Sequence, residues 1–280
     1  MQLGISSFTF GWAVGVAGHP PPRPLDEHAL IDYAQAHGTS RLQIGDNLPL
    51  HRHDAPALAA IAAHAVRAGI TLEVGARGLT PEHLRTYRTI ARRLDAPLLR
   101  FVVDTHSHRP NAATIMTTLR DTRADLGDLL IGIENHDRLP AQVLRSIIEQ
   151  VGSPQVGICL DTANSLGAGE GLATVIEQLG PHTVNLHIKD FAIARVPHQM
   201  GFVVEGRPAG QGLLDIPALL AAIRNHSRCQ SATLELWTPP EATLAATIAK
   251  EQRWAGESIT YLRQTLRGCP HPPTPAPAGG

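Results

Sequence analysis

Eight short apolar runs, each followed by a segment with helical punctuation, restrict this chain more than any other feature. The runs cover residues 2–7, 41–45, 70–75, 98–103, 129–134, 155–161, 183–189 and 231–237. Between them, 24–38 opens with acidic residues and closes at Gly38, and the Ala-rich 54–69 has Asp54 as N-cap. Thr80-Pro81-Glu82 supplies an N-cap and a first-turn proline for a helix running to about Leu94. Helices over 111–125, 140–151, 170–179, 216–225 and 241–267 complete the alternation. Strict strand–helix alternation implies a parallel sheet, and eight units are the number at which such a sheet closes. The expected fold class is α/β: a single (β/α)8 barrel over 1–268, followed by a Pro/Gly-rich tail, 269–280, expected to be disordered. Such a barrel uses nearly all of the 280 residues. The alternative, an open doubly wound sheet, would call for a Gly-x-Gly-x-x-Gly after an early strand, and none is present.

Four of the runs hand a metal-capable residue to their C-terminal ends. These are Glu134, Asp161, His187 and Glu235. In Thr183-Val184-Asn185-Leu186-His187-Ile188-Lys189-Asp190, Val184, Leu186 and Ile188 alternate with Asn185, His187 and Lys189, so His187 and Lys189 point to one side, away from the apolar set. In a closed barrel all four ends meet at the mouth where barrel enzymes keep their chemistry. Carboxylate oxygens and one imidazole suit a single divalent ion, Mn2+ first, with Mg2+, Co2+ or Zn2+ as alternatives. Cys159, Cys229 and Cys269 share no metal-type spacing, and they read as incidental thiols.

Glu134-Asn135-His136, Asp161-Thr162-Ala163-Asn164, His187-Ile188-Lys189-Asp190 and Glu235 together resemble the xylose-isomerase-like barrels, which include sugar phosphate isomerases/epimerases, tagatose/psicose 3-epimerases and hydroxypyruvate isomerase. The resemblance implies that Glu134, Asp161, His187 and Glu235 bind one divalent metal and that Glu134 and Glu235 are the catalytic acid and base. It places Asn164 where the epimerases carry a substrate-contacting histidine, and Arg207 where some relatives have a substrate-touching loop arginine. His136, Lys189 and Trp12 are further candidates for substrate contact, and Trp12 and Trp237 offer an apolar wall for a sugar face. His106 and His108, beyond the fourth run, are candidates to line the mouth.

The implied activity is isomerisation or epimerisation of a sugar, keto-sugar or related polyol, by proton transfer next to a carbonyl. A dehydratase or other lyase follows instead if a β-leaving group departs first. Apurinic-site endonucleases of the same superfamily use three zinc ions, and the extra ligands are missing at Gly45-Asp46-Asn47, at Gly75-Ala76-Arg77 and at Asn164. A formal net charge of -1 carries no footprint for nucleic acid. A non-catalytic sugar-binding barrel is opposed by the paired glutamates. No apolar run approaches the ~20 residues of a membrane span, and no leader pattern opens the chain, so a cytoplasmic protein is expected. Its partners are expected to be a small carbohydrate and, at most, further copies of itself. The long connections 8–24 and 191–214, rich in Gly or Pro, are expected to cover the mouth.

Overall fold

The computed structural model describes residues 1–122, 126–198, 200–226 and 228–268. In chain order its strands are β1 (Gln2–Ser6), β2 (Arg41–Ile44), β3 (Thr71–Arg77), β4 (Leu98–Val102), β5 (Leu130–Glu134), β6 (Val156–Asp161), β7 (Thr183–Ile188), β8 (Phe191–Arg195), β9 (Phe202–Gly206) and β10 (Ser231–Leu234). Eight of them close a barrel in the order β1-β10-β7-β6-β5-β4-β3-β2, every pair parallel. The expected barrel is therefore the observed one. The stretch 269–280, assigned to a disordered tail on composition, lies outside the described residues.

Alternation within each strand decides what the barrel holds. Leu42, Ile44, Val74, Leu99, Phe101, Leu186 and Ile188 are fully buried apolar residues. Their neighbours in sequence, Gln43, Glu73, Arg100, Asn185 and His187, are just as buried and take the opposite face, the barrel interior. A hydrogen bond across the lumen fixes that reading, because Gln43 on β2 donates to Asn185 on the non-adjacent β7.

The helices form where the punctuation placed them. Asp26 caps α2 (Glu27–Ala36), Asp54 caps α3 (Ala55–Ala68) and Thr80 caps α4 (Pro81–Arg93), each side chain accepting from the backbone N–H three residues on. Gly69 closes α3 at φ 69°, a conformation that favours glycine. A short α1 (Gly11–Val14) interrupts the first long connection, while α5 (Ala112–Thr122), α6 (Ala141–Val151), α7 (Leu172–Leu179), α8 (Ile216–His226) and α9 (Leu244–Gly268) complete the outer ring. The helix expected over 111–125 ends at Thr122, and 123–125 lie outside the described residues.

Two expectations need correction. The connection 191–214 is not simply a glycine-rich loop: β8 and β9 pair antiparallel over five residue pairs, from Phe191↔Gly206 to Arg195↔Phe202. Glycines drew attention to a loop, while the alternation in the two short strands carried the hairpin signal. The last barrel strand also stops at Leu234 rather than at Trp237. Its neighbour β7 ends at Ile188, so the ladder closes with Glu235 N–H to Ile188 O at 3.1 Å, and Leu236 N–H turns to Phe8 O at 3.4 Å.

Asp190 anchors the hairpin. Its carboxylate accepts from the backbone N–H groups of Phe191 (2.8 Å), Gly210 (2.9 Å), Gly212 (3.0 Å) and Leu214 (3.1 Å). Gly212 has to be glycine, because a Cβ there would overlap the Asp190 carboxylate and the Phe191 carbonyl.

Candidate metal centre and active site

Glu134 is the last residue of β5, Asp161 the last of β6, His187 the next to last of β7, and Glu235 directly follows β10. The parallel ladder aligns Asp161 with His187, which brings two of the four side by side. All four are buried, His187 completely. From His187 Nδ1 the distances are 3.4 Å to Glu235 Oε1, 3.8 Å to Glu134 Oε2 and 3.9 Å to Asp161 Oδ2. Asp161 Oδ2 and Glu134 Oε2 each have a cationic donor at 2.8 Å, from Lys189 and Arg100, whereas Glu235 Oε1 and His187 Nδ1 have no hydrogen-bond partner among the described residues. Buried acceptors are almost always satisfied. The two unpartnered atoms, with the Asp161 and Glu134 oxygens facing the same ring nitrogen, form the hard donor set that a divalent cation takes.

The other atoms of these side chains are fixed by local structure. Asp161 Oδ1 accepts from Ala163 N–H and Asn164 N–H, both at 2.8 Å, which turns Oδ2 towards the centre. Asn135 clamps the end of β6, accepting from Asp161 N–H at 2.7 Å and donating to Asp161 O at 2.9 Å. Glu134 Oε1 accepts from Asn164 Nδ2 at 2.8 Å. His187 Nε2 sits 2.8 Å from Gln43 Oε1.

Two cations balance the three carboxylates. Lys189 Nζ lies 2.8 Å from Asp161 Oδ2, 3.0 Å from Glu235 Oε2 and 3.4 Å from Asn164 Oδ1. Arg100, on β4 and 2% exposed, places Nε 2.8 Å from Glu134 Oε2 and Nη1 3.0 Å from Asp46 Oδ1. Burial disfavours both cations, yet the carboxylates around them outweigh it and push both pKa values up. Burial by itself would raise the Glu235 carboxyl; the cationic groups that face it, Lys189 and Arg100 among them, override it and hold it below the usual carboxylate range. Cys159 belongs to the same neighbourhood, its sulfur close to Glu134 and His187. Burial, then the Glu134 charge, push its thiol well up, and Sγ donates to Asn185 Oδ1 at 3.1 Å.

A cavity of about 530 Å³ opens onto the centre, its lining including the polar Lys189, Glu235, Asn164 and His136 and the apolar Phe8, Leu166, Val204 and Trp237. Of the residues named for substrate contact, Asn164, His136 and Lys189 line it. Trp12 lines an adjoining cavity instead, its Nε1 donating to Thr238 O at 2.8 Å, and Trp237 borders both. The Arg207 guanidinium is held by Gly206 O (2.8 Å) and Glu205 Oε2 (3.1 Å), away from the cavity wall. His106 lines a separate side cavity with Arg77 and His136, and the His108 ring sits 3.0 Å from Leu79 O. Sequence reasoning missed Arg100, Gln43, Glu73 and Cys159. The available signal was a polar residue in the middle of an otherwise apolar strand, as in Leu98-Leu99-Arg100-Phe101-Val102.

Comparison with known proteins narrows the reading. The xylose isomerase-like TIM barrel family model matches residues 30–265. The chain is 33% identical over 264 residues to 3-oxo-isoapionate decarboxylase of Pectobacterium atrosepticum, covering 94% of this chain and 95% of that protein. Among solved structures, D-psicose 3-epimerase determined in the presence of D-fructose has a TM-score of 0.71 at 15% identity, over 96% of this chain and 100% of the other. The probable 3-DHS dehydratase AsbF of Bacillus anthracis has a TM-score of 0.59 at 12% identity, over 90% and 98%. At such identities the two structures share the fold, and one fold serves names as different as epimerase and dehydratase.

Proposed function

This chain belongs to the xylose isomerase-like TIM barrel family, and on that premise we propose that it is a divalent-metal-dependent lyase that decarboxylates a sugar-derived 3-oxo acid. The observation that carries the reading is Lys189, an ammonium group on the cavity wall, 2.8 Å and 3.0 Å from two of the candidate ligand carboxylates. Lys189 neutralises those carboxylates whatever the substrate, and as a cation on the cavity wall it is also the group that an acid substrate would meet. Identity to the decarboxylase over nearly the full length supports the same choice. Loss of CO2 differs from the β-elimination expected of a lyase from the sequence, and it enters with the likeness to the decarboxylase.

A divalent ion held by Glu134, Asp161, His187 and Glu235 would supply positive charge for the oxygens of a 3-oxo group and its neighbouring hydroxyl. Mn2+ is the ion we favour, since the donors that face one another are three carboxylate oxygens and one imidazole nitrogen. Lys189 receives the substrate carboxylate, and Asn164 and His136 donate to hydroxyl oxygens from the same wall. Phe8, Leu166 and Trp237 supply the apolar part of the lining. The bond from the α-carbon to the carboxyl carbon breaks, its electron pair passes to the 3-oxo oxygen, and CO2 leaves. Glu235, held ionised while the Lys189 ammonium lies 3.0 Å away, takes up a solvent-derived proton as that ammonium turns to the substrate carboxylate, and relays it to the carbon that lost the carboxylate. Arg100 and Asn164 hold Glu134 from both of its oxygens, whereas Glu235 borders the cavity, so Glu235 is the acid that reaches the substrate. A cytoplasmic location is part of the same proposal.

Isomerisation or epimerisation of a keto-sugar is the second reading. It is favoured by the two glutamates at one centre, because an epimerase needs one to remove a proton and the other to return it. Both reactions pass through an enediolate and differ in whether CO2 or a proton leaves the carbon. The test is incubation of the Mn2+-loaded protein in heavy water with 3-oxo-isoapionate and, separately, with ketoses. Release of one CO2 per product, with one deuterium at the former carboxyl-bearing carbon, is the expected result. Deuterium exchange into a ketose with no CO2 from the acid would overturn the lyase reading in favour of the second.

A further inference from the structure

Beneath the candidate ligands the interior is polar, where barrels usually fill with branched apolar side chains. Gln43, Glu73, Asn185 and His187 are each no more than 1% exposed. Their hydrogen bonds have a direction, and it starts at Glu73. An ionised carboxylate only accepts: Glu73 Oε1 takes a hydrogen bond from Arg41 Nη1 at 2.9 Å, and Oε2 takes one from Gln43 Nε2 at 3.2 Å. The second hydrogen of Gln43 Nε2 goes to Asn185 Oδ1 at 3.2 Å. Asn185 Oδ1 also accepts from Cys159 Sγ at 3.1 Å, and its Nδ2 donates to Ser231 Oγ at 2.7 Å and to Thr233 Oγ1 at 3.3 Å.

With both amide hydrogens committed, Gln43 has only its carbonyl oxygen to turn towards His187, and that oxygen lies 2.8 Å from Nε2. The Nε2 atom must carry the hydrogen. In the neutral ring the lone pair is then on Nδ1, the atom that faces the three carboxylates without a hydrogen bond of its own. The partner of one ring nitrogen thereby sets the role of the other.

We propose that Glu73, acting through Gln43, is a positioning residue that fixes His187 as an Nδ1 metal ligand; the inference rests on the metal centre argued above. Glu73 touches no ligand side chain, so its influence has to travel through the orientation of one amide. Glu73→Gln is nearly isosteric but has one acceptor. If that acceptor serves Arg41, its NH2 faces Gln43; the Gln43 amide turns over, the Asn185 amide turns with it because its hydroxyl partners can donate as well as accept, and the Gln43 NH2 meets His187. The ring then has to accept at Nε2, which moves the hydrogen to Nδ1. The double variant Gln43→Glu/Glu73→Gln restores an acceptor opposite Nε2 and a donor opposite residue 43.

The experiment is Co2+ titration of the metal-free full chain, following the cobalt absorption bands and calorimetric heat, with thermal melts as the check on folding. Glu73→Gln is expected to weaken Co2+ binding by about 10–100-fold, and the double variant to return it to within about threefold of the wild type. A folded Glu73→Gln that binds as the wild type does, or a double variant no tighter than the single one, would overturn the proposal. Should the single variant not fold, nitrogen-15 NMR of the Zn2+-loaded wild type decides the matter. Hydrogen on Nε2 and metal on Nδ1 of His187 is expected, and the reverse refutes it. A wild-type chain that binds no Co2+ removes the metal centre itself, a failure distinct from wild-type binding that Glu73→Gln leaves unchanged.

Discussion

Lys189 and Arg100 divide the work of neutralising the centre, and they differ in what they can do next. Arg100 is sealed between Glu134 and Asp46 with 2% exposure, whereas Lys189 borders the cavity. Only Lys189 is placed to meet an incoming carboxylate. Lys189→Met keeps the length of the side chain and removes its charge. Its kcat/KM for the 3-oxo acid should fall by about 10²–10³, the range seen when a fixed charge or donor is taken from a reacting centre. Metal content should stay at the wild-type level. Steady-state kinetics with elemental analysis checks both, and a variant within about threefold of wild type would remove Lys189 from the substrate contacts. The sequence displayed Lys189 and the four ligands because each follows or ends an apolar run, where a charge stands out. Arg100, Gln43 and Glu73 sit inside their strands, and their purpose emerges only when opposite sides of the barrel meet, as Gln43 and Asn185 do.

Among the elements, the two long connections on the mouth are the least regular and the most informative. Both were expected to cover the mouth, and Phe8 from one and Val204 from the other line the cavity that opens onto the centre. That 191–214 contains a hairpin went unread because its strands are five residues each and one of them presents exposed Phe202 and Val203. The first connection is tied down by α9, whose Glu251 accepts from Trp12 N–H at 2.9 Å and Ala13 N–H at 3.0 Å. Glu251 is 1% exposed. Burial raises its pKa from 4.5 to about 7, against the smaller opposing effect of those two hydrogen bonds. Between these values the folded chain binds more proton than the unfolded one, so this group makes stability fall as pH rises through the window. Glu251→Gln removes that slope. From about pH 5 to about pH 8 the melting temperature of the wild type should therefore drop relative to that of Glu251→Gln. Parallel melting curves across this range would show that Glu251 is not held protonated by burial.

At the scale of the whole molecule, the alternation of eight strands with helices was enough to infer the barrel, and the barrel was enough to bring Glu134, Asp161, His187 and Glu235 together from positions as far apart as 134 and 235. The reaction is less legible, because the same architecture is shared with structures named as an epimerase and as a probable dehydratase. What distinguishes them must lie in side chains such as Lys189 and Asn164 rather than in topology. The central claim is common to every reaction considered: four strand ends hold one divalent ion. It is tested most directly by equilibrium dialysis of metal-free protein against Mn2+ and Co2+, followed by elemental analysis of the wild type, His187→Ala and Asp161→Ala. One ion per wild-type chain, with loss of that ion from both variants while they remain folded, is the expected result. Full metal content in both variants would contradict the account.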